Sequence, residues 1–210
     1  MTIIAQGAQY KVIDTHDGRV KKIPLTAAES RKVIAGWYAP NPAPRKDLAI
    51  DYRAQALDSC KKIRALLISH PELRPSFGNP AFEEAGIYTQ DALQTLGAAL
   101  EDSSKEQAKE LIRGYLDLIL LHWQYGLSEK VFNCTVNNAL SHSGKVVLLD
   151  FGEVTFDKEE VLKSIISKRW LHSFSYKKQI PGNLKEYYAH CLSERLTPAV
   201  LNATWGILKT

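Results

Sequence analysis

The run "GKVVLLD", residues 144–150, constrains the fold most, because its apolar residues are continuous and do not alternate with polar ones. Successive side chains of a strand point to opposite faces, so a continuous apolar run is typical of a strand buried on both faces. The run begins at Gly144, ends at Asp150 and is followed by Phe151-Gly152. The sequence therefore predicts a buried strand whose last residue presents a carboxylate.

Strand and helix patterns succeed one another along the rest of the chain. Asp17-Gly18 is a hairpin-turn signal, and Thr26 with Glu29 three residues later matches a capping box. The predicted strands are 3–13, 18–23, 77–83, 86–90 and 144–150, with a short strand preceding the last. The predicted helices are 26–37, 47–69, 104–124, one capped by Asp157, 183–194 and 198–208. This layout predicts an α+β fold.

Composition excludes several classes of protein. Hydrophobic residues make up 45% and charged residues 24% of the 210 residues, which is typical of a globular chain. The formal net charge is +4 and the basic residues are scattered, so no nucleic-acid partner is indicated. Three cysteines without a CxxC pair and the lack of a secretion signal favour a cytoplasmic location. The apolar stretch 116–123 is too short to span a bilayer, so no membrane association is predicted.

The segment "NNALSHSGKVVLLDFGE", from Asn137 to Glu153, carries the chemical signal. It resembles the catalytic segment of the protein-kinase-like superfamily, in which an Asn leads a short hairpin that ends in Asp-Phe-Gly. Asn137 and Asp150 are thirteen residues apart and Gly144 lies seven after the Asn, as in that superfamily. The resemblance implies that Asn137 and Asp150 hold Mg²⁺ on the phosphates of ATP, because Mg²⁺ prefers hard oxygen ligands. The alternative is that the segment is only a structural hairpin whose Gly-Glu end forms a turn.

The same resemblance assigns roles to residues in the first half of the chain. Gly7 lies in the turn that covers the phosphates, although it stands alone in place of the GxGxxG pattern. Lys22 is the phosphate-binding lysine, chosen over Lys21 because strand alternation places it on the same face as Val20. Glu29 is either the partner of this lysine or only part of the capping box. Gln90 belongs to the segment 87–93, which occupies the place of the adenine-binding connector.

The sequence departs from the superfamily at the catalytic base. The usual Asp lies five residues before the Asn, where this chain has Phe132. Glu129 is then the candidate base, and Asn133 is a candidate for positioning the acceptor hydroxyl. The alternative is that Glu129 is a solvated loop charge and Asn133 a turn residue.

Taken over the whole chain, the resemblance implies a two-lobed protein-kinase-like fold of a small, atypical, aminoglycoside-kinase-like branch. A small, mostly β N-lobe spans 1–93 and a mostly helical C-lobe spans 94–210, with the catalytic hairpin at 134–153. The first expected function is ATP-dependent phosphoryl transfer to a small molecule or a protein. The second is a pseudokinase-type module that binds nucleotide without turnover. A third, a non-nucleotide interaction domain, is disfavoured by Lys22, Asn137 and Asp150.

Overall fold

A computed structural model describes residues 2–45 and 49–208. The chain is α+β, and it divides into an N-terminal unit, Met1–Ala92, and a C-terminal unit, Leu93–Thr210. The boundary predicted from the sequence lies after residue 93. Within the described ranges, no helix combines the length and the apolar character needed to cross a membrane.

The N-terminal unit contains a five-stranded antiparallel sheet in the order β1-β2-β3-β5-β4. Its strands are β1 Thr2–Gln6, β2 Tyr10–Asp14, β3 Arg19–Pro24, β4 Ala81–Phe82 and β5 Tyr88–Asp91. Between β3 and β4, the described residues include two helices, followed by a 3₁₀ turn, Pro71–Phe77. These helices are α1 Ala27–Trp37 and α2 Tyr52–Ser69. The sheet contacts α2, since the Tyr10 hydroxyl on β2 donates to the Ala56 carbonyl at 3.1 Å.

Several predictions for this unit are confirmed and others are wrong. The hairpin at Asp17-Gly18 and the capping box that starts α1 are present. The stretch 3–13 is not one strand, because the chain turns at residues 7–9. The predicted strand 77–83 shrinks to β4, since the prolines before it favour a 3₁₀ turn. Helix α2 begins at Tyr52, and residues 47–48 of its predicted span lie outside the described residues.

The C-terminal unit is built around one long buried helix. In chain order it contains β6 Gln94–Thr95, α3 Leu96–Glu101, α4 Lys105–Gln124, β7 Ser128–Glu129, α5 Cys134–Asn137, β8 Asn138–Leu140, β9 Val146–Leu148, β10 Val154–Thr155, α6 Lys158–Ile166, α7 Gly182–Arg195 and α8 Pro198–Thr204. Both apolar faces of α4 supply core residues, as predicted: Ile112, Tyr115, Leu116, Ile119 and Trp123 are buried. Ser104 and Gln107 form the capping box that starts this helix.

The short strands of this unit hold its loops together. β6, β8 and β9 form one antiparallel sheet, and β7 pairs with β10 in another. A 3₁₀ turn, Phe151–Glu153, joins β9 to β10, and a π-helical turn, Ser175–Gln179, precedes α7. The sequence predicted neither α3 nor the π-helical turn. A tertiary contact holds the π-helical turn, because the Thr135 hydroxyl bonds Ser175 and Gln179.

Candidate functional site

The predicted hairpin brings Asn137 and Asp150 together. Strands β8 and β9 pair with Asn138 opposite Leu148, and Gly144 supplies the left-handed turn residue with φ +80°. The Asn137 carbonyl accepts hydrogen bonds from the backbone N–H of Leu149 at 2.7 Å and of Asp150 at 3.2 Å. Although Asn137 and Asp150 are thirteen residues apart in sequence, the loop that ends at Asn137 is therefore in direct contact with the turn that begins at Asp150.

The side chains at this junction leave oxygens for a cation. Asn137 Nδ2 donates to Glu153 Oε2 at 2.7 Å, so the amide nitrogen faces the carboxylate and the amide oxygen faces away. Asp150 uses Oδ1 to accept from the Gly152 N–H at 2.9 Å. One amide oxygen and one carboxylate with a further oxygen are the donor types that Mg²⁺ prefers, so these residues fit the predicted metal.

Glu153 is the residue of this junction that sequence reasoning did not single out. Its partial burial raises the pKa of its carboxyl and the charge of Asp150 raises it further, while hydrogen bonds from Asn137 and Asn133 lower it. Its backbone carbonyl also accepts from the Lys130 N–H at 2.8 Å. The available signal was an acidic residue immediately after Asp-Phe-Gly. Glu153 thus holds the two asparagines of the loop in place.

Glu129 lies in the core beneath the same loop. It is 4% exposed on β7, and its Oε1 accepts from Asn138 Nδ2 at 2.7 Å while its Oε2 accepts from the Tyr115 hydroxyl at 3.4 Å. Burial raises the pKa of this carboxyl to about 7, the Asn138 hydrogen bond lowers it, and the charge of Glu153 raises it. Because both oxygens have buried partners, the geometry favours a structural role for Glu129. It is not the solvated loop charge that the sequence left as the alternative.

Asn133 and Phe132 define the other side of the loop. Asn133 Oδ1 accepts from the Phe174 N–H at 3.0 Å, and its backbone carbonyl accepts from the Asn137 N–H at 2.9 Å. Phe132 is fully buried with φ +55° and packs edge-to-face on Trp170, with ring centroids 5.8 Å apart. Phe132, at the position where the resemblance implies a base, is therefore an anchor of the hydrophobic core.

The site's carboxylates do not form a protein-only metal cage. Among residues 2–45 and 49–208, no three His, Cys, Asp or Glu side chains come together in a way that could hold a metal ion. A cation bound through Asp150 would need the Asn137 amide oxygen and oxygens of a ligand or water. That ligand set is typical of Mg²⁺ bound together with phosphates.

In the N-terminal unit, strand β3 orients Lys22 as predicted. Lys22 is 8% exposed and Val20 is 7% exposed, so both lie on the buried face of the sheet. Lys22 Nζ lies 5.8 Å from the ring centroid of Tyr88, on the neighbouring strand β5. Lys21 points to the opposite face, where it forms an ion pair with Glu83 at 2.7 Å. The predicted separation of the two lysines is confirmed.

Glu29 forms the capping box. Its Oε2 accepts from the Thr26 backbone N–H at 2.8 Å, and its Oε1 forms an ion pair with Lys11 at 3.4 Å. The Thr26 hydrogen bonds and the charge of Lys11 lower the pKa of the Glu29 carboxyl. The sequence left two roles open for Glu29, capping α1 and pairing with Lys22. Its contacts with Thr26 show the capping role.

Gly7 and Gln90 occupy contrasting positions in this unit. Gly7 lies in the β1–β2 turn, where its N–H donates to the Tyr10 carbonyl at 3.1 Å and a Cβ atom would meet no atom within 4 Å. Gln90 is fully buried on β5 opposite Val20 on β3. Neither polar atom of its side chain has a hydrogen-bond partner among the described residues. Residues 88–91 of the predicted connector are therefore part of the sheet.

Comparison with known proteins adds no family to these observations. No protein-family profile and no curated protein matches the chain. The function must be inferred from the residues just described.

Proposed function

We propose that this chain is an ATP-dependent phosphotransferase of the atypical, protein-kinase-like type, with Mg²⁺ held by Asn137 and Asp150. The observation that carries the proposal is the junction of these residues, joined through the Asn137 carbonyl and the N–H groups of Leu149 and Asp150. The sheet order β1-β2-β3-β5-β4 in one unit and the β8–β9 hairpin in the other support a two-lobed kinase-like fold.

Each residue of the junction has a distinct task in this proposal. Asp150 supplies a carboxylate and Asn137 an amide oxygen to Mg²⁺, which offsets the negative charge of the phosphates when it is bound. Glu153 accepts from Asn137 Nδ2 and so fixes which end of that amide faces the cation. Lys22, buried on β3, is the proposed phosphate ligand of the N-terminal unit. Gly7 marks the β1–β2 turn as the proposed cover of the phosphates, where the lack of a side chain allows close approach while its own N–H donates to the Tyr10 carbonyl.

The acceptor is activated in this proposal mainly by positioning. Phosphoryl transfer through a loose transition state depends on alignment and charge stabilisation more than on a strong base. Asn133 is placed to orient an acceptor hydroxyl, because it adjoins Glu153 and is fixed by the Phe174 N–H. Glu129 has the chemistry of a base, but its buried partners Tyr115 and Asn138 favour its role in supporting the loop.

One observation favours a second candidate function, a nucleotide-binding module without turnover. Phe132 is fully buried at the position where the superfamily carries its catalytic Asp. A core phenylalanine cannot accept a proton or hydrogen-bond a substrate hydroxyl. Measuring ATP turnover separates the two candidates. Turnover in wild type that falls in the Asn133→Ala protein supports the enzyme. No turnover in wild type with acidic-peptide, neutral-peptide and small-molecule acceptors supports the module.

The test of the proposal is calorimetric titration of ATP with and without Mg²⁺. We expect Mg²⁺ to increase the affinity for ATP in the wild-type protein. Asp150→Ala should abolish this increase and so lower the affinity for ATP in the presence of Mg²⁺ by about tenfold or more, because one hard ligand and its charge are lost. Asp157→Ala is the matched control: it removes the carboxylate that caps α6 and should lower stability by about 1 kcal/mol without changing the effect of Mg²⁺. ATP binding that ignores Mg²⁺ in wild type would refute the metal assignment.

A further inference from the structure

The charged residues of the C-terminal unit are unevenly distributed along the sequence. Residues 161–185 contain six lysines and arginines and no acidic residue. The remaining residues of this unit carry thirteen acidic and eight basic side chains. An uninterrupted positive segment within an otherwise acidic unit is a local feature that net charge does not reveal.

This basic segment is attached to the candidate site. The Phe174 N–H donates to Asn133 Oδ1 at 3.0 Å, and the Thr135 N–H donates to Ser175 Oγ at 3.1 Å. The charge of Arg169 acts on the Glu153 carboxylate and lowers its pKa. Residues 169–175 therefore contact the same loop that presents Asn137.

Most of the positive side chains of the segment face solvent. Lys168, Arg169, Lys177 and Lys178 are exposed, and together they are named the basic strip. Its three lysines form no ion pair with any residue that the structure describes. Phe174 lies between them in sequence and is 54% exposed. The strip therefore offers unneutralised charge and an apolar contact beside the catalytic loop.

We propose that the basic strip is the docking surface for an acidic protein segment that carries the acceptor hydroxyl, an inference that rests on the proposed phosphotransferase function. Charge complementarity selects an anionic partner. The side chains of the strip are exposed along a surface segment, an arrangement that favours binding of an extended peptide. Small anions, in contrast, are typically bound in enclosed pockets. The remaining residues of the unit carry a net negative charge, which disfavours the long phosphate backbone of a nucleic acid more than a short acidic segment.

Fluorescence anisotropy in the absence of nucleotide and Mg²⁺ tests the docking surface directly. The probes are a labelled peptide of glutamates flanking one serine, the same peptide with glutamines, and a single-stranded oligoadenylate RNA. Binding of the glutamate peptide alone, weakening as salt rises, supports the proposal. Tighter binding of the RNA, equal binding of the glutamine peptide, or binding of none of the three overturns it.

Two matched charge reversals locate the binding surface. Lys177→Glu with Lys178→Glu should weaken binding of the glutamate peptide by about tenfold or more. Lys105→Glu with Lys145→Glu changes the net charge equally at exposed positions outside the strip and should have a much smaller effect. Equal losses in the two double variants overturn the proposal. The milder Lys177→Gln with Lys178→Gln variant serves if the first reversal unfolds the protein, and it should give an intermediate loss.

The failures of the two proposals are distinguishable. A wild-type protein that binds Mg²⁺-ATP but not the glutamate peptide overturns the docking surface alone. One that binds the peptide at the strip but not Mg²⁺-ATP overturns the phosphotransferase function, and with it the acceptor role of the bound segment. Phosphorylation of the peptide's serine, lost in the Lys177→Glu, Lys178→Glu protein and retained in the control, supports both.

Discussion

The two units of this chain bury polar side chains in different ways. In the C-terminal unit, Glu129, Asn137 and Glu153 each form a side-chain hydrogen bond of 2.7 Å within the loop region. In the N-terminal unit, Gln90 is fully buried, yet its amide has no hydrogen-bond partner among the described residues. The C-terminal unit also holds buried polar atoms without a partner among the described residues, Asn138 Oδ1 and Trp170 Nε1 among them, but Asn138 keeps its Nδ2 bond to Glu129, whereas both ends of the Gln90 amide lack a partner.

This difference has an energetic meaning. A buried amide without a partner costs about 1–3 kcal/mol, so it destabilises the fold unless a ligand satisfies it. In the loop region of the C-terminal unit, the carboxylates of Glu129 and Glu153 have hydrogen-bond partners, but burial disfavours their charged form. We therefore expect responses that differ in their pH dependence: removing the charge should stabilise the loop region at high pH, and removing the amide should stabilise the sheet at every pH.

The largest expected effect is on the pH dependence of stability through Glu129. Its folded-state pKa is about 7 against an ordinary value of 4.5, so the folded state holds a proton that the unfolded state has released between these values. Stability is highest below pH 4.5 with respect to this group and falls as pH rises to about 7. Glu129→Gln should raise the free energy of unfolding by about 3 kcal/mol at pH 8, measured by urea denaturation.

The control is Glu101→Gln, which removes an exposed carboxylate from the end of α3. It should change the free energy of unfolding by no more than about 0.5 kcal/mol at any pH. Glutamine at position 129 can still accept from Asn138 Nδ2, so the Glu129→Gln variant keeps the main hydrogen bond. A variant that is less stable than wild type at pH 8 would show that Glu129 is charged and stabilising there.

The next effect concerns Gln90, the unsatisfied residue of the N-terminal unit. Gln90→Met replaces a buried amide by an apolar side chain of similar shape and should raise the free energy of unfolding by about 1–3 kcal/mol. Gln55→Met, at an exposed position on α2, is the matched control and should change it by less than about 0.5 kcal/mol. Loss of stability in the Gln90→Met protein would mean that the amide has a partner in solution.

The third prediction uses the two faces of strand β3. Lys22→Met should weaken ATP binding by about tenfold, because a charge-assisted contact to phosphate is lost. Lys21→Met removes only a surface ion pair with Glu83 and should leave ATP binding unchanged, with a stability loss below about 1 kcal/mol. Calorimetric titration of both proteins decides the matter. Weaker binding in the Lys21→Met protein alone would place the nucleotide on the opposite face of the sheet.

Local signals in the sequence predicted the features that depend on neighbouring residues. The capping box of α1, the long helix α4 and the β8–β9 hairpin each follow from spacing within a few residues, and each is present. The alternation that separates Lys22 from Lys21 is confirmed for the same reason, because strand geometry alone sets it.

Features that depend on distant contacts could not be predicted in this way. Glu129 resembled a loop charge because nothing nearby shows that Asn138 and Tyr115 bury its carboxylate. Glu153 passed unnoticed because its role arises from a side chain sixteen residues earlier, Asn137. Residues 88–90 carried two predictions, as part of the strand 86–90 and as part of the connector 87–93, and pairing with β3 decides for the strand. In each case a partner remote in sequence decides the role of the residue.

The smallest expected effect on stability is at Gly7, and it tests whether the N-terminal unit's turn approaches a ligand. A Cβ atom at this position meets no atom within 4 Å, so Gly7→Ala should leave the free energy of unfolding within about 1 kcal/mol of wild type. Gly86→Ala is the structural control, because its φ of +75° and a clash with the Leu57 side chain should make that protein clearly less stable. If backbone at Gly7 closely approaches phosphate, ATP binding should weaken severalfold in the Gly7→Ala protein while its melting temperature is unchanged. Unaltered ATP affinity would remove Gly7 from the proposed phosphate contacts and leave Lys22 as the only candidate contact from this unit.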